Sequence, residues 1–191
     1  MGKERGIVQM LMHSPDSPLA SLVSSNEVKP GLTLITGPRG SGKTRWCMSL
    51  SDHAAAAGIR VGGLVSPSVF ENGRKVGIDL VDLKSGDRRH LAYSKGSGRG
   101  DLLTTDWQLD VETLTWGNSI LERTENCDFF ILDELGPLEF NHDVGLIAGL
   151  EIIETRRDLP IFATVRPSLI SGARLRWYWA EVWEIPAEAK S

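Results

Sequence analysis

The segment Gly37-Pro38-Arg39-Gly40-Ser41-Gly42-Lys43-Thr44 limits the possible folds most strongly, because it matches the pattern G-x-x-x-x-G-K-[ST] in full. A mostly apolar run, Leu32 to Thr36, precedes it, and Arg45 to Ala57 is typical of a helix. A loop between a buried strand and a helix turns its backbone N–H groups inward, where they bind phosphate. We therefore predict that the chain binds a nucleoside triphosphate.

Each residue type in this loop has a physical role. The glycines allow the backbone to approach phosphate closely, Lys43 reaches the β and γ phosphates, and the Thr44 hydroxyl is a hard ligand for Mg²⁺. The alternative is a glycine-rich turn with a chance Gly-Lys-Thr, which the flanking strand and helix disfavour. The predicted nucleotide-binding residues are Gly37, Pro38, Arg39, Gly40, Ser41, Gly42, Lys43, Thr44 and Arg45.

A second element is the stretch from Asp128 to Glu134, in which four apolar residues lead to two adjacent carboxylates. Ligands of an open parallel sheet bind beyond the carboxyl ends of its strands, so Asp133 is expected at a strand end beside the phosphate loop. We predict that Asp133 and Thr44 hold Mg²⁺, the aspartate through the water shell of the ion, and that Glu134 orients or deprotonates the attacking water. A solvated strand end or a helix N-cap is the alternative for both carboxylates.

Hydrolysis of a nucleoside triphosphate often needs a positive charge on the transferred phosphoryl group. Arg166 is the best candidate, because it follows a predicted core strand at the carboxyl edge, although a surface arginine at a strand end is the alternative. The predicted catalytic residues are therefore Lys43, Glu134 and Arg166. Arg39 in the loop and Arg99 on a glycine-rich segment stay open as further phosphate contacts.

Three segments carry a family resemblance: TGPRGSGKT at residues 36–44, GGLVSP at Gly62 to Pro67, and ILDELGPLE at Ile131 to Glu139. Together they resemble a family of small P-loop nucleoside-triphosphatases from bacteria, archaea and eukaryotes, of the thermophile and human cancer-related type. The resemblance covers roughly Gly31 to Arg166. It implies a Mg²⁺-dependent hydrolase of ATP, GTP and similar triphosphates with a loose preference for the base.

The resemblance also assigns roles by position. It implies that Lys43 and Thr44 contact phosphate and metal, that Asp133 is the Walker B aspartate, and that Glu134 is the base. Glu139 matches a second acidic position, for which a helix-capping carboxylate is the alternative. The chain departs from the family pattern after Thr44, where Arg45-Trp46 replaces the small hydroxyl residue that is often found.

Along the chain, strands alternate with helices, which predicts an α/β fold. From Val69 to Tyr93, apolar and polar residues alternate around the turn signals Glu71-Asn72-Gly73 and Lys84-Ser85-Gly86-Asp87, which indicates antiparallel hairpins. We predict a three-layer P-loop fold with a largely parallel sheet and an antiparallel β insertion at about residues 66–95. Further strands are predicted at Ile59 to Val65, Trp107 to Val111, the run before Asp133, and Pro160 to Val165, with helices at Glu112 to Glu125, at Val144 to Arg156 and from Pro167.

The two ends of the chain differ from this pattern. Residues 1–30 include a possible short strand, Gly6 to Met12, and a segment rich in Ser and Pro, so they are predicted to form a flexible arm before a domain at 31–191. Near the other end, Trp177 and Trp179 share one face if their segment is a strand, and we favour core packing over an interface for them. Trp46 either stacks on a base or lies between helix and sheet.

Composition agrees with a single domain: 41% of the 191 residues are hydrophobic, and Cys47 and Cys127 are far apart in sequence. We interpret both cysteines as buried small hydrophobic residues. No apolar run approaches the roughly 20 residues of a membrane span, so we expect a cytoplasmic protein. A net charge of −4 disfavours broad nucleic-acid binding.

Three functions remain open from the sequence. The first is Mg²⁺-dependent triphosphate hydrolysis with water placed by Glu134. The second is a small-molecule or nucleotide kinase, in which the β insertion binds an acceptor. The third is a nucleotide-controlled switch that acts on a protein partner through the N-terminal arm or the Trp-rich end.

Overall fold

The computed structural model describes residues 30–104 and 106–187, so the predicted N-terminal arm, apart from Pro30, lies outside the described residues. The strands are β1 (Gly31–Thr36), β2 (Val61–Val65), β3 (Ser68–Glu71), β4 (Arg74–Asp82), β5 (Arg88–Ser94), β6 (Leu102–Leu103), β7 (Trp107–Leu109), β8 (Phe129–Leu135), β9 (Pro160–Val165) and β10 (Glu181–Glu184). The helices are α1 (Lys43–Ala56), α2 (Val111–Glu122), α3 (Pro137–Asn141), α4 (Ile147–Thr155) and α5 (Ile170–Arg176), with a 3-10 turn at Pro167–Leu169.

The strands form one sheet in the order β10-β1-β9-β8-β2-β4-β5-β7-β6, and β3 pairs with β4 outside this path. Strands β10, β1, β9, β8 and β2 are parallel to one another. From β4 onward the pairing is antiparallel, through β7 and β6. The predicted α/β fold, with a largely parallel sheet and an antiparallel insertion, is confirmed.

The central parallel strands β2, β8 and β9 are buried on both faces, which explains why their sequences are continuous apolar runs. In β8, Phe129 and Ile131 point to one face and pack with residues of α1, whereas Phe130 and Leu132 point to the other. The first cluster includes Cys47, Leu50 and Ala54 of α1. The second includes Leu114 and Leu121 of α2 with Leu150 and Ile153 of α4. The sheet is therefore the middle of three layers.

One local expectation is wrong, and one condition left open by the sequence is not met. Strand β8 does not end at Asp133 but continues to Leu135, and its pairing with β9 shifts register between Leu132 and Leu135. Trp177 and Trp179 do not lie on a strand, because Trp177 caps the end of α5 and the strand begins only at Glu181. Core packing is confirmed for Trp177, whose side chain is 0% exposed.

No helix within residues 30–104 and 106–187 is long and apolar enough to cross a membrane.

Candidate active site

The loop between β1 and α1 has the backbone geometry that its glycines predict. Gly40 and Gly42 have φ of 81° and 88°, in the left-handed region that favours glycine. A Cβ at Gly37 would collide with the backbone oxygen of Ile185, which follows β10. Gly42 is the N-cap of α1, and the first turn of this 14-residue helix carries no acidic side chain and no side-chain cap. The backbone amides and the dipole at such a helix N-terminus favour an anion.

Lys43 lies over this loop. Its ammonium donates hydrogen bonds to the carbonyl oxygens of Gly37, at 2.9 Å, and Pro38, at 3.1 Å. The Lys43 side chain therefore folds back over the loop. A cation in this position is suited to contact phosphate oxygens.

Asp133 is buried beside the loop, with 1% of its surface exposed. Its carboxylate accepts hydrogen bonds from the Thr164 hydroxyl, at 2.6 Å, and from the Ser66 amide, at 3.2 Å. Burial raises the pKa of Asp133 and the charge of Glu134 raises it further, while hydrogen bonds from Thr164, Thr44 and Ser66 lower it. The Asp133 carboxyl group is therefore desolvated, and a nearby cation would stabilise its ionised form.

The donors around Asp133 fit a hard divalent cation. The Thr44 hydroxyl and the Asp133 carboxylate supply oxygen, the ligand type that Mg²⁺ prefers, and the hydrogen bond between these side chains brings them together. In the described part of the chain there is no group of three or more His, Cys, Asp and Glu side chains that could hold a metal ion. A site with few protein ligands suits Mg²⁺, because this ion keeps water molecules and substrate phosphates among its ligands.

Glu134 and Arg166 meet at the carboxyl ends of β8 and β9. Arg166 Nε donates a hydrogen bond of 3.1 Å to Glu134 Oε1. The peptide bond between Asp133 and Glu134 is cis. The Glu134 side chain is about one-third exposed and the Arg166 side chain is 44% exposed, so both are accessible from solvent.

A cavity of about 870 Å³ joins these groups, a size typical of small-molecule sites. Its wall includes most of the predicted site residues: Gly37, Arg39, Gly40, Gly42, Lys43, Thr44, Arg45, Glu134 and Arg166. Pro38, Ser41 and Asp133 are not part of the wall; Ser41 and Asp133 are buried beneath it. The structure thus brings the two sequence motifs and Arg166 to one place.

Comparison with known proteins agrees with this geometry. A family model described as NTPase matches residues 33–171, which is most of the chain. The chain belongs to this nucleoside-triphosphatase family. It is 31% identical over 126 residues to the nucleoside-triphosphatase THEP1 of Caldivirga maquilingensis, covering 65% of this chain and 70% of that protein. It is 32% identical over 145 residues to THEP1 of Thermofilum pendens, covering 75% of this chain and 78% of that protein.

A solved structure shares the fold. The solution structure of a human cancer-related nucleoside triphosphatase superposes with a TM-score of 0.62 at 22% identity, over 81% of this chain and 88% of that one. The family that the sequence motifs predicted is therefore confirmed, and the P-loop fold with it.

The nucleoside-triphosphatase site also contains residues that the sequence did not reveal. Ser66, Phe70, Lys75 and Trp107 line the cavity from the end of β2 and from the antiparallel strands. Ser66 lies in the GGLVSP segment, so its position after a core strand was a usable signal. The other three come together only through the pairing of β3, β4, β5 and β7, which the sequence does not specify.

Three other candidates differ in their relation to the cavity. Arg39 is exposed at the cavity and pairs with Asp106 at 3.5 Å. Arg99 is not among the residues of the cavity wall and lies 5.8 Å from the ring of Tyr93. Trp46 packs edge-on against Phe162 and Trp183, so it lies between helix and sheet.

Glu139 is a structural carboxylate. It is 6% exposed and accepts hydrogen bonds from the backbone amides of Gly136, at 2.8 Å, and Leu146, at 2.9 Å. Both of its oxygens are used in this way, which agrees with the helix-capping alternative. Burial raises the pKa of Glu139, and the amide hydrogen bonds lower it.

Proposed function

We propose that this protein hydrolyses nucleoside triphosphates to the diphosphate and phosphate, with Mg²⁺ held by Thr44 and Asp133. The observation that carries the proposal is the 3.1 Å hydrogen bond between Arg166 and Glu134 on the wall of the phosphate-loop cavity. It joins a carboxylate and a guanidinium at the place where the transferred phosphoryl group would lie. The family membership of the chain supports the same reaction.

Binding would use the phosphate loop. The amides of Gly40, Gly42 and Lys43 face the phosphate chain, and the Lys43 ammonium donates to its β and γ oxygens. When bound, Mg²⁺ would neutralise charge on the same oxygens. Binding would exchange the carbonyl contacts of Lys43 for phosphate contacts, which are stronger because both partners are charged.

Hydrolysis would begin at Glu134. Its Oε1 accepts from Arg166, which leaves Oε2 to accept a proton from water as the water oxygen attacks the γ phosphorus. The bond from the γ phosphorus to the bridging oxygen breaks, and the nucleoside diphosphate leaves with that oxygen. Arg166 carries further N–H donors, which can contact the transferred phosphoryl oxygens while Nε holds the carboxylate in place.

The test is phosphate release from ATP, GTP, CTP and UTP by purified protein in the presence of Mg²⁺. Release from several triphosphates is expected, and Glu134→Gln should slow it by roughly 10²-fold or more while nucleotide binding persists. Glu151→Gln, an exposed change on α4, is the matched control. Equal rates for wild type and Glu134→Gln would remove Glu134 from the mechanism.

The apolar part of the cavity wall favours one second candidate, a phosphotransferase. Phe70, Ile78 and Trp107 line the same cavity as Glu134, and apolar side chains suit the body of an acceptor molecule. An acceptor hydroxyl in this space would attack the γ phosphorus in place of water and give up its proton to Glu134. A phosphorylated product, formed faster than free phosphate when an acceptor is added, would establish this reaction.

A further inference from the structure

Lys75 is a cation of the cavity wall that neither sequence motif contains. It lies on β4, in the antiparallel insertion, and its side chain is half-buried. The same wall holds Lys43, Glu134 and Arg166, so Lys75 shares one cavity with the groups that surround the phosphate loop. Three separate parts of the chain thus direct positive charge into one cavity.

An aromatic ring holds Lys75 in place. Its ammonium lies 5.0 Å from the centroid of the Trp107 ring, a cation–π contact. In the described ranges Lys75 forms no ion pair, whereas Arg166 pairs with Glu134 at 3.1 Å and Arg39 with Asp106 at 3.5 Å. Trp107 therefore orients the lysine without neutralising its charge.

The charges around Lys75 favour an anionic ligand. Burial lowers the pKa of Lys75, as do the positive charges of Arg39 and Arg166, while Glu134 and Asp133 raise it. Arg39 and Arg166 also belong to the cavity wall, so the positive charges that repel Lys75 line the same cavity as the lysine. A multiply charged phosphate chain in this cavity would attract all three cations and so offset the repulsion among them.

The backbone around Lys75 is well defined. The β3–β4 hairpin turns at Asn72 and Gly73, whose φ values of 49° and 75° suit the two-residue turn between Glu71 and Arg74. Lys75 is the second residue after this turn. Strand β4 continues into direct pairing with β2 of the parallel sheet. Its lysine is therefore presented from a paired strand, which is a precise support for a functional group.

We propose that Lys75 is a catalytic residue supplied by the antiparallel insertion, and that its ammonium contacts the transferred phosphoryl group in the transition state. The proposal rests on the proposed triphosphate hydrolysis and assigns the insertion a part in it. Charge develops on the phosphoryl oxygens and on the leaving group as the reaction proceeds, so a fixed ammonium stabilises the transition state more than the ground state.

The first experiment compares Lys75→Met, Lys75→Arg and the control Lys84→Met in phosphate release. Met keeps a flexible apolar chain beside Trp107, and Lys84 is an exposed lysine in the turn between β4 and β5. We expect Lys75→Met to lower kcat by roughly 10²-fold with little change in KM. Lys75→Arg should restore part of kcat, and Lys84→Met should match wild type.

The second experiment measures affinities, so it does not need turnover. We expect Lys75→Met to weaken binding of Mg²⁺, ADP and fluoroaluminate together, a mimic of the transferring phosphoryl group, much more than binding of a non-hydrolysable ATP analogue. If wild type releases no phosphate from any triphosphate, the proposed hydrolysis fails, while this comparison still decides the role of Lys75. Should Lys75→Met not fold, Lys75→Gln replaces it.

Three results would overturn the assignment. The first is a kcat of Lys75→Met equal to that of wild type. The second is an equal loss of affinity for the ATP analogue and for the fluoroaluminate complex, which would make Lys75 a ground-state binding residue. The third is an equal loss of kcat in Lys75→Arg and Lys75→Met at unchanged melting temperature, because the charge would then not be the cause.

Discussion

At the scale of single residues, Lys43 shows how the phosphate loop prepares a cation for its ligand. Its ammonium donates to two loop carbonyls, those of Gly37 and Pro38, and so lies over the loop before phosphate arrives. Exchange of these carbonyl contacts for phosphate contacts is favourable, because the ammonium donor then meets an acceptor that carries a full negative charge. Lys43 should therefore contribute directly to nucleotide affinity.

We predict that Lys43→Ala weakens binding of a non-hydrolysable ATP analogue by roughly 10²-fold, since hydrogen bonds to charged groups contribute about 1.5–3 kcal/mol each. Isothermal titration calorimetry with Mg²⁺ present measures the change. Lys84→Ala, in an exposed turn, serves as the control. An affinity for Lys43→Ala like that of the control would exclude phosphate contact by Lys43.

The sequence predicted those site residues that lie next to each other in the chain. Lys43 and Thr44 follow the loop glycines, and Asp133 with Glu134 ends an apolar run, so each pair carries its own local signal. Lys75 carries no such signal, because its contact with Trp107 joins positions 32 residues apart (107 − 75) and depends on the pairing of the antiparallel strands. Only the tertiary structure brings it to the cavity.

At the scale of elements, Glu139 ties α3 to the segment before α4. Its two oxygens accept from the amides of Gly136 and Leu146, and a Cβ at Gly145 would collide with Glu139 Oε1. Gly145 has a φ of 97°, which a residue with a side chain rarely adopts. The connection after β8 is thus built around a single buried carboxylate.

We predict that Glu139→Ala lowers the free energy of unfolding by roughly 2–5 kcal/mol, because it leaves two buried amides without acceptors. Urea denaturation followed by circular dichroism measures the loss, with the exposed Glu151→Ala as control. The folded variant should still hydrolyse triphosphate. A stable variant with abolished activity would instead indicate that Glu139 acts in the reaction.

Strands could be predicted from the sequence where a local apolar run marks them. Strand β9 has the predicted bounds, Pro160–Val165, because its apolar run is buried on both faces and Pro160 marks its start. Strand β10 was missed, since Glu181–Glu184 has four residues and pairs in parallel with β1, which lies at the other end of the described chain. The aromatic residues before it obscured its boundary, because Trp177 packs as a core residue while Tyr178 is 82% exposed.

At the scale of the whole molecule, the end of the described chain supports the start of the nucleotide site. Strand β10 lies beside β1, and the Ile185 amide donates to the carbonyl of Thr36 at 2.8 Å. The oxygen of Ile185 closely approaches Gly37, the first loop residue. Trp177, packed against Phe140 with ring centroids 5.6 Å apart, anchors the segment that leads into β10.

Trp177→Ala should therefore destabilise the whole domain, by about 3–5 kcal/mol. The indole Nε1 of Trp177 is buried without a hydrogen-bond partner in the described structure. Because the substitution also removes this unfavourable buried polar group, we expect a loss of stability near the lower end of that range. Tyr178→Ala, at the adjacent exposed position, should change stability by no more than about 0.5 kcal/mol. Urea denaturation followed by circular dichroism avoids the change in tryptophan fluorescence. Equal midpoints for the two variants would mean that the segment before β10 is held by strand pairing alone.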